Sequence, residues 1–246
     1  MHGPPSPAKR RKYRISMKGY GCKVNRKLFI SAISKFALGV LLVGALVFIP
    51  AGTLKYGPGL LLMCVLFIPM FIAGLIMMNK NPELLKSRLD AKEKEKEQSL
   101  VIKLSGLMFI VGFVIAGLDF RFSWLPLPKW VSILGAALFL LAYALYGEVL
   151  RENTYLSRTI KVQKDQKVID TGLYGIVRHP MYMATVLLFP SMGLVLGSLF
   201  TFIIFLAYIP IIILRIQNEE KVLEKELKGY NEYKQKVKYK IIPYIW

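Results

Sequence analysis

Cysteine is almost absent from this chain: two in 246 residues, Cys22 beside a basic stretch and Cys64 inside an apolar one. Two thiols in such different surroundings build no disulfide framework, and both read as free, Cys22 either unmodified or acylated next to its polybasic neighbours. Histidine is equally scarce, with two residues that do not cluster with the cysteines. No loop has the carboxylate spacing of a calcium site, so nothing suggests a metal. Nowhere does a strand, a Gly-rich turn and a helix follow in order, which removes a Rossmann-type nucleotide domain. The first 27 residues lack the apolar core of a cleaved signal peptide, and the run after them has no clear small-residue cleavage site, so that run reads as a retained span. No internal repeat stands out.

Acidic residues are also few, 15 against 34 Lys and Arg, for a formal net charge of +19. Yet 54% of the residues are hydrophobic and the mean hydropathy is +0.45. Soluble domains of such charge are rarely so apolar, and a membrane protein reconciles the two, with its charges in loops and tails. Several runs reach the roughly 20 apolar residues that a helix needs to cross a bilayer. They are Leu28 to Ile49, Leu60 to Met78, Val101 to Leu118 and Val131 to Val149. The run from Met181 to Leu214 is too long for one crossing, and Pro190, Gly193, Gly197 and Ser198 near its centre suggest a tight helical hairpin. The expected fold is therefore all-α and integral to the membrane: about six transmembrane helices, the last two a hairpin, followed by a C-terminal cytosolic helix and tail.

Six spans put both termini and the polar segments Asn79 to Leu100 and Leu150 to Pro180 on one side. Only Lys55, Arg121 and Lys129 then fall opposite, and the excess of positive charge marks the first side as cytoplasmic. Residues 1–27 read as a basic flexible arm, with no nucleic-acid partner expected. Residues 28–100 read as two N-terminal spans and a charged loop, in which Ala91 to Gln98 is a solvated face. After the hairpin, Glu219, Glu220, Leu223 and Leu227 keep helical spacing up to Gly229, and the final Lys240 to Trp246 should lie at headgroup level.

The stretch "GLYGIVRHPMY", Gly172 to Tyr182, brings Arg178 and His179 to the cytosolic mouth of the fifth span, with Pro180 suited to a first helical turn. The neighbouring amides can bind an anion. A hairpin would set this group beside Arg215, Glu219 and Glu220, and Arg215 and Glu219, four residues apart, share a helix face. Read alone, Arg215 and Glu219 serve equally well as a structural ion pair, Arg178 as a snorkelling anchor and His179 as a packed imidazole.

Taken together, "GLYGIVRHPMY", the hairpin, "RIQNEEKVL" and "GYNEYKQKVKYKIIPYIW" resemble the isoprenylcysteine carboxyl methyltransferase family, particularly its prokaryotic members, over roughly Asn153 to Trp246. The family is related to phospholipid methyltransferases. The resemblance implies a methyltransferase core at 101–246 that binds S-adenosylmethionine among the cytosolic helix ends and the tail. It implies cofactor contacts at Gln163, Gln166, Lys167, Val168, Ile169, Tyr174, His179, Pro180, Met181, Tyr182 and Glu219. Arg215 would face a lipidic or prenylated acceptor, and Arg215 and Glu219 would be the catalytic pair.

The reaction expected from that resemblance is O-methylation of a carboxylate by a multi-pass protein, in the plasma or inner membrane if the source is prokaryotic. A lipidic acceptor would enter laterally between spans. Three alternatives stay open: N-methylation of an aminophospholipid headgroup, with Glu220 or His179 as base; a non-catalytic membrane protein whose tail recruits partners or anionic lipids; and a related reductase-like protein that binds a nicotinamide cofactor.

Overall fold

The computed structural model describes residues 26–89, 96–153, 155–156, 162–163 and 166–246. The expectations for the basic arm as far as Asn25, for Cys22 and for most of Ala91 to Gln98 lie outside the described residues. Every regular element among the described residues is helical. The helices are α1 Arg26–Ala51, α2 Gly57–Lys80, α3 Pro82–Leu89, α4 Lys96–Phe122 and α5 Lys129–Glu152. After a short 3₁₀ turn at Gly172–Gly175 come α6 Pro180–Val195, α7 Leu199–Leu206, α8 Tyr208–Glu226 and α9 Tyr230–Lys236.

Among the described residues, five stretches are long and apolar enough to cross a membrane: α1, α2, Ser99–Phe122 in α4, α5, and Leu199–Glu226, which joins α7 to α8. The sixth apolar helix, α6, has 16 residues and so covers about 24 Å, a little short of a hydrocarbon core. The outside of the bundle is greasy. Leu38, Leu41, Leu42 and Ile49 of α1 are all more than half exposed, as are Ile133 and Leu141 of α5. Surfaces of this kind are stable in lipid and not in water. The chain is a multi-pass membrane protein.

Inside, α5 packs along α6, α1 along α4, and α7 and α8 against α4. The core they share includes Phe113, Phe139, Met192, Phe205 and Ile212. The hairpin expected from Met181 to Leu214 is present, and its bend lies at Leu196 to Ser198, at the last two of the four residues that marked it. There Ser198 caps α7 by accepting the Thr201 N–H at 3.3 Å. Helix α6 runs through Pro190 and Gly193 without a break. Gly193 is where α7 comes closest, since a Cβ there would stand 2.4 Å from the Phe202 nitrogen.

The second arm of the hairpin breaks once, at Ala207 between α7 and α8. Pro210 explains the break, because it has no N–H for the Leu206 carbonyl and its ring crowds that carbonyl. Helix α8 then carries its polar end beyond the apolar layer and stops at Glu226, three residues before the expected Gly229. Gly229, at φ +88°, forms the turn into α9. The final segment folds back under the bundle: Ile241 is buried in the core and Trp246 packs against it, while Ile242, Tyr244 and Ile245 stay exposed.

Candidate active site

The bend of the hairpin returns α8 alongside α6, and the two charged groups meet. Arg178, 6% exposed, donates from Nε to Glu220 Oε1 at 2.7 Å and from Nη1 to the carbonyls of Val237 and Lys238, both at 2.8 Å. His179 Nε2 lies 3.2 Å from the same Glu220 oxygen, and Lys240 Nζ lies 3.6 Å from the other. Glu220 is thus a buried carboxylate with three cationic or imidazole partners. Such a charge is tolerable only when so paired. The backbone joins in: the N–H groups of Arg178 and His179 donate to the carbonyls of Tyr239 and Lys240 at 2.9 and 2.8 Å. These two amides, expected to be open to an anion, are taken by the tail.

One turn further along α6, Tyr182 links the other pair. Arg215 Nε donates to the Tyr182 hydroxyl at 2.9 Å, and that hydroxyl donates to Glu219 Oε2. The Tyr182 ring also stacks loosely on His179, with centroids 5.7 Å apart. Arg215 and Glu219 do share a helix face, but it is a phenol from the neighbouring helix that bridges them.

The wall opposite α8 comes from the loop after α5. Glu152 accepts the Leu173 N–H with both oxygens, at 3.2 and 3.0 Å, which fixes the 3₁₀ turn. Gly172 there has φ +55°, and a Cβ would fall 1.6 Å from Glu152 Oε1, so only glycine fits. The turn delivers Tyr174, whose hydroxyl accepts from Asn153 Nδ2 at 3.0 Å and whose carbonyl accepts from the Tyr233 hydroxyl at 2.7 Å. Val168 packs with Leu223, Leu227, Tyr230, Tyr233 and Val237 in a small second core. Burial raises the phenol pKa values of Tyr174, Tyr230 and Tyr233, and for Tyr230 the carboxylates of Glu220 and Glu219 raise it further.

These elements surround a cavity with about 830 Å³ of empty space, its open mouth included. Gln166, Lys167, Val168, Ile169, Tyr174, His179, Met181, Tyr182, Arg215 and Glu219 all line it. Gln163 sits one layer behind: its N–H donates to Gln166 Oε1 at 2.8 Å and its side chain donates to the Tyr155 carbonyl at 2.5 Å. Pro180 does not line the cavity and starts α6 instead. Asn153, Tyr155, Leu156, Leu223, Leu227, Tyr230 and Tyr233 line it too, without having been singled out from the sequence. The one available signal was the Tyr230 and Tyr233 spacing in "GYNEY", which puts two phenols on one face of a short helix. The Tyr230 hydroxyl is buried without a hydrogen-bond partner among the described residues, a state that costs free energy unless a ligand or water satisfies it.

Residues 130–229 match the model of the phospholipid methyltransferase family. The match runs from the start of α5 through the cavity loop, α6, α7 and α8 to Gly229, and takes in every cavity residue except Tyr230 and Tyr233. The likeness to membrane methyltransferases covers this segment, less than half of the chain. In fold, the chain is similar to the eukaryotic intramembrane Ras methyltransferase, an isoprenylcysteine carboxyl methyltransferase solved without a monobody. The two share 14% sequence identity, with a TM-score of 0.43 over 97% of this chain and 94% of that one. No curated protein matches this chain.

Proposed function

We propose that the chain is an S-adenosylmethionine-dependent methyltransferase that esterifies the carboxylate of a lipidic acceptor, as isoprenylcysteine carboxyl methyltransferases do. The observation that carries this reading is the Arg215–Tyr182–Glu219 bridge on the wall of a cavity with aromatic sides and an unsatisfied phenol. The residues present fit the cofactor. Glu219 suits the ammonium of the methionine moiety, His179 its carboxylate, and the Tyr230 hydroxyl a polar edge of the nucleoside. The faces of Tyr174 and Tyr182 attract a sulfonium by about 0.5 to 2 kcal/mol. When bound, S-adenosylmethionine supplies an electrophilic methyl group whose departure leaves a neutral thioether.

Arg215 then clamps the acceptor carboxylate, which is ionised at neutral pH and needs no base. Orientation is the main task of the protein: near-attack placement at about 3 to 3.5 Å and exclusion of water supply several kcal/mol of the barrier. The cavity opens on the side that holds most of the Lys and Arg, so we assign that side and both termini to the cytosol. Residues 101–246 form the core in this reading, and the first two spans flank it, leaving a lateral path for the acceptor.

The family match favours a second reading, N-methylation of an aminophospholipid. An ammonium acceptor must first lose a proton. Both bases considered for that step, Glu220 and His179, are engaged with each other, and Glu220 also with Arg178 and Lys240. That engagement supports the carboxylate reading.

The test has two parts. Titration calorimetry with S-adenosylhomocysteine should show binding by the wild type, weakened about tenfold or more in Glu219→Ala; no binding refutes a methyltransferase, and unchanged affinity in the variant refutes the site. Purified protein given labelled cofactor and either prenylcysteine acids or phosphatidylethanolamine should yield a base-labile methyl ester from the former. A base-stable N-methyl product would decide for the second reading.

A further inference from the structure

A second cavity, of about 1120 Å³ with its mouth included, lies at the other end of α6. About 24 Å of helix separates the two, by the 1.5 Å rise per residue. It is formed by the start of α2, the end of α4, the connection from α4 to α5, and the bend at Leu196 to Ser198. Its walls are largely apolar, with Phe120 and Ile133 among them.

Three buried polar side chains line it: Asp119, Ser132 and Ser198, the last of which caps α7. Asp119 is 4% exposed and Ser132 6%. One Asp119 oxygen accepts the Leu125 N–H at 3.1 Å; among the described residues the other has no hydrogen bond and no cation pairs with the carboxylate. Ser132 Oγ has no hydrogen-bond partner among them either. The second Asp119 oxygen and Ser132 Oγ thus keep hydrogen-bonding capacity open to the cavity. Of the acidic residues, Asp119 is the only one that the six-span topology puts on this side of the membrane.

The surroundings say what would complete it. The fully buried Tyr56 ring stacks on Phe120 at 4.2 Å and 23°, so an aromatic surface adjoins the carboxylate. Lys129, exposed, stands on the rim. The exposed indoles of Trp124 and Trp130 flank the same connection, and tryptophans in such places mark the headgroup level of a bilayer.

We propose that this cavity binds a lipid with a primary-ammonium zwitterionic headgroup, from the leaflet opposite the methyl-transfer cavity. The ammonium donates to the open Asp119 oxygen and to Ser132 Oγ, its phosphate faces Lys129, and an acyl chain follows Phe120 and Ile133. The carboxylate oxygen can only accept and so calls for an N–H donor, which phosphatidylethanolamine has and phosphatidylcholine lacks. The assignment does not depend on the reading of the other cavity.

Native mass spectrometry of the full chain, released from mixed micelles with equal phosphatidylethanolamine and phosphatidylcholine, tests it. Wild type should retain the ethanolamine lipid about tenfold over the choline lipid, the scale of a charged hydrogen bond. Asp119→Asn keeps an acceptor for the Leu125 N–H and should abolish the preference, and Ser132→Ala should weaken it. Glu219→Gln, altered only in the other cavity, should keep it. Equal retention of the two lipids by wild type would overturn the proposal, as would loss of the preference in Glu219→Gln with none in Asp119→Asn. Water-soluble phosphoethanolamine displacing the lipid at equal concentration would overturn the assignment to a lipid.

Discussion

Arg178 turns one edge of its guanidinium to Glu220 and another to the carbonyls of Val237 and Lys238. From the sequence it read as a possible snorkelling anchor. At 6% exposure it is instead a rivet between α6, α8 and the tail. That role was illegible because its partners lie 42 to 60 residues away, and no local pattern announces a contact of that range. Arg178→Met should therefore cost about 3 to 5 kcal/mol, because it leaves Glu220 short of its nearest cation and two carbonyls without donors. Unfolding of detergent-solubilised protein followed by circular dichroism measures this. Glu220→Gln added to Arg178→Met should restore part of the loss, since the two sites are coupled.

At the scale of helices, hydropathy located every long apolar element but not how the elements join. The bend in the hairpin came six residues after Pro190, at Leu196 to Ser198, because an apolar environment and packed neighbours hold a helix together through a proline that would break it in water. Helix α3 was missed altogether: eight residues with a mixed polar face are too few to show a period. Close approach between helices is likewise set by single residues. Gly193→Val would push a side chain into the Phe202 backbone, where α7 has no room to retreat. We expect a loss of about 1 to 3 kcal/mol, the usual cost of overpacking. Gly106→Val in α4, where nothing lies within 4 Å of the added Cβ, should leave the thermal midpoint nearly unchanged.

Over the whole molecule, the cavity unites three separate parts of the chain, and three buried phenols report on them together: Tyr174 in the loop after α5, and Tyr230 and Tyr233 in α9. Burial raises the pKa of each, so the neutral form is favoured in the folded state. Their contribution to stability is complete below the ordinary phenol value of about 10 and is lost as pH rises above it. Absorbance at the phenolate band should accordingly show a late class of tyrosines that includes these three. Tyr174, Tyr230 and Tyr233 should ionise only in step with the loss of circular dichroism. Ionisation of all in one early phase would mean that the loop and α9 do not dock.

The Tyr239 and Lys240 carbonyls that receive the Arg178 and His179 amides lie, in sequence, beyond every long apolar helix among the described residues. A chain with all of these helices inserted can thus still lack the strap beneath α6, so the floor of the cavity is completed only when the tail docks.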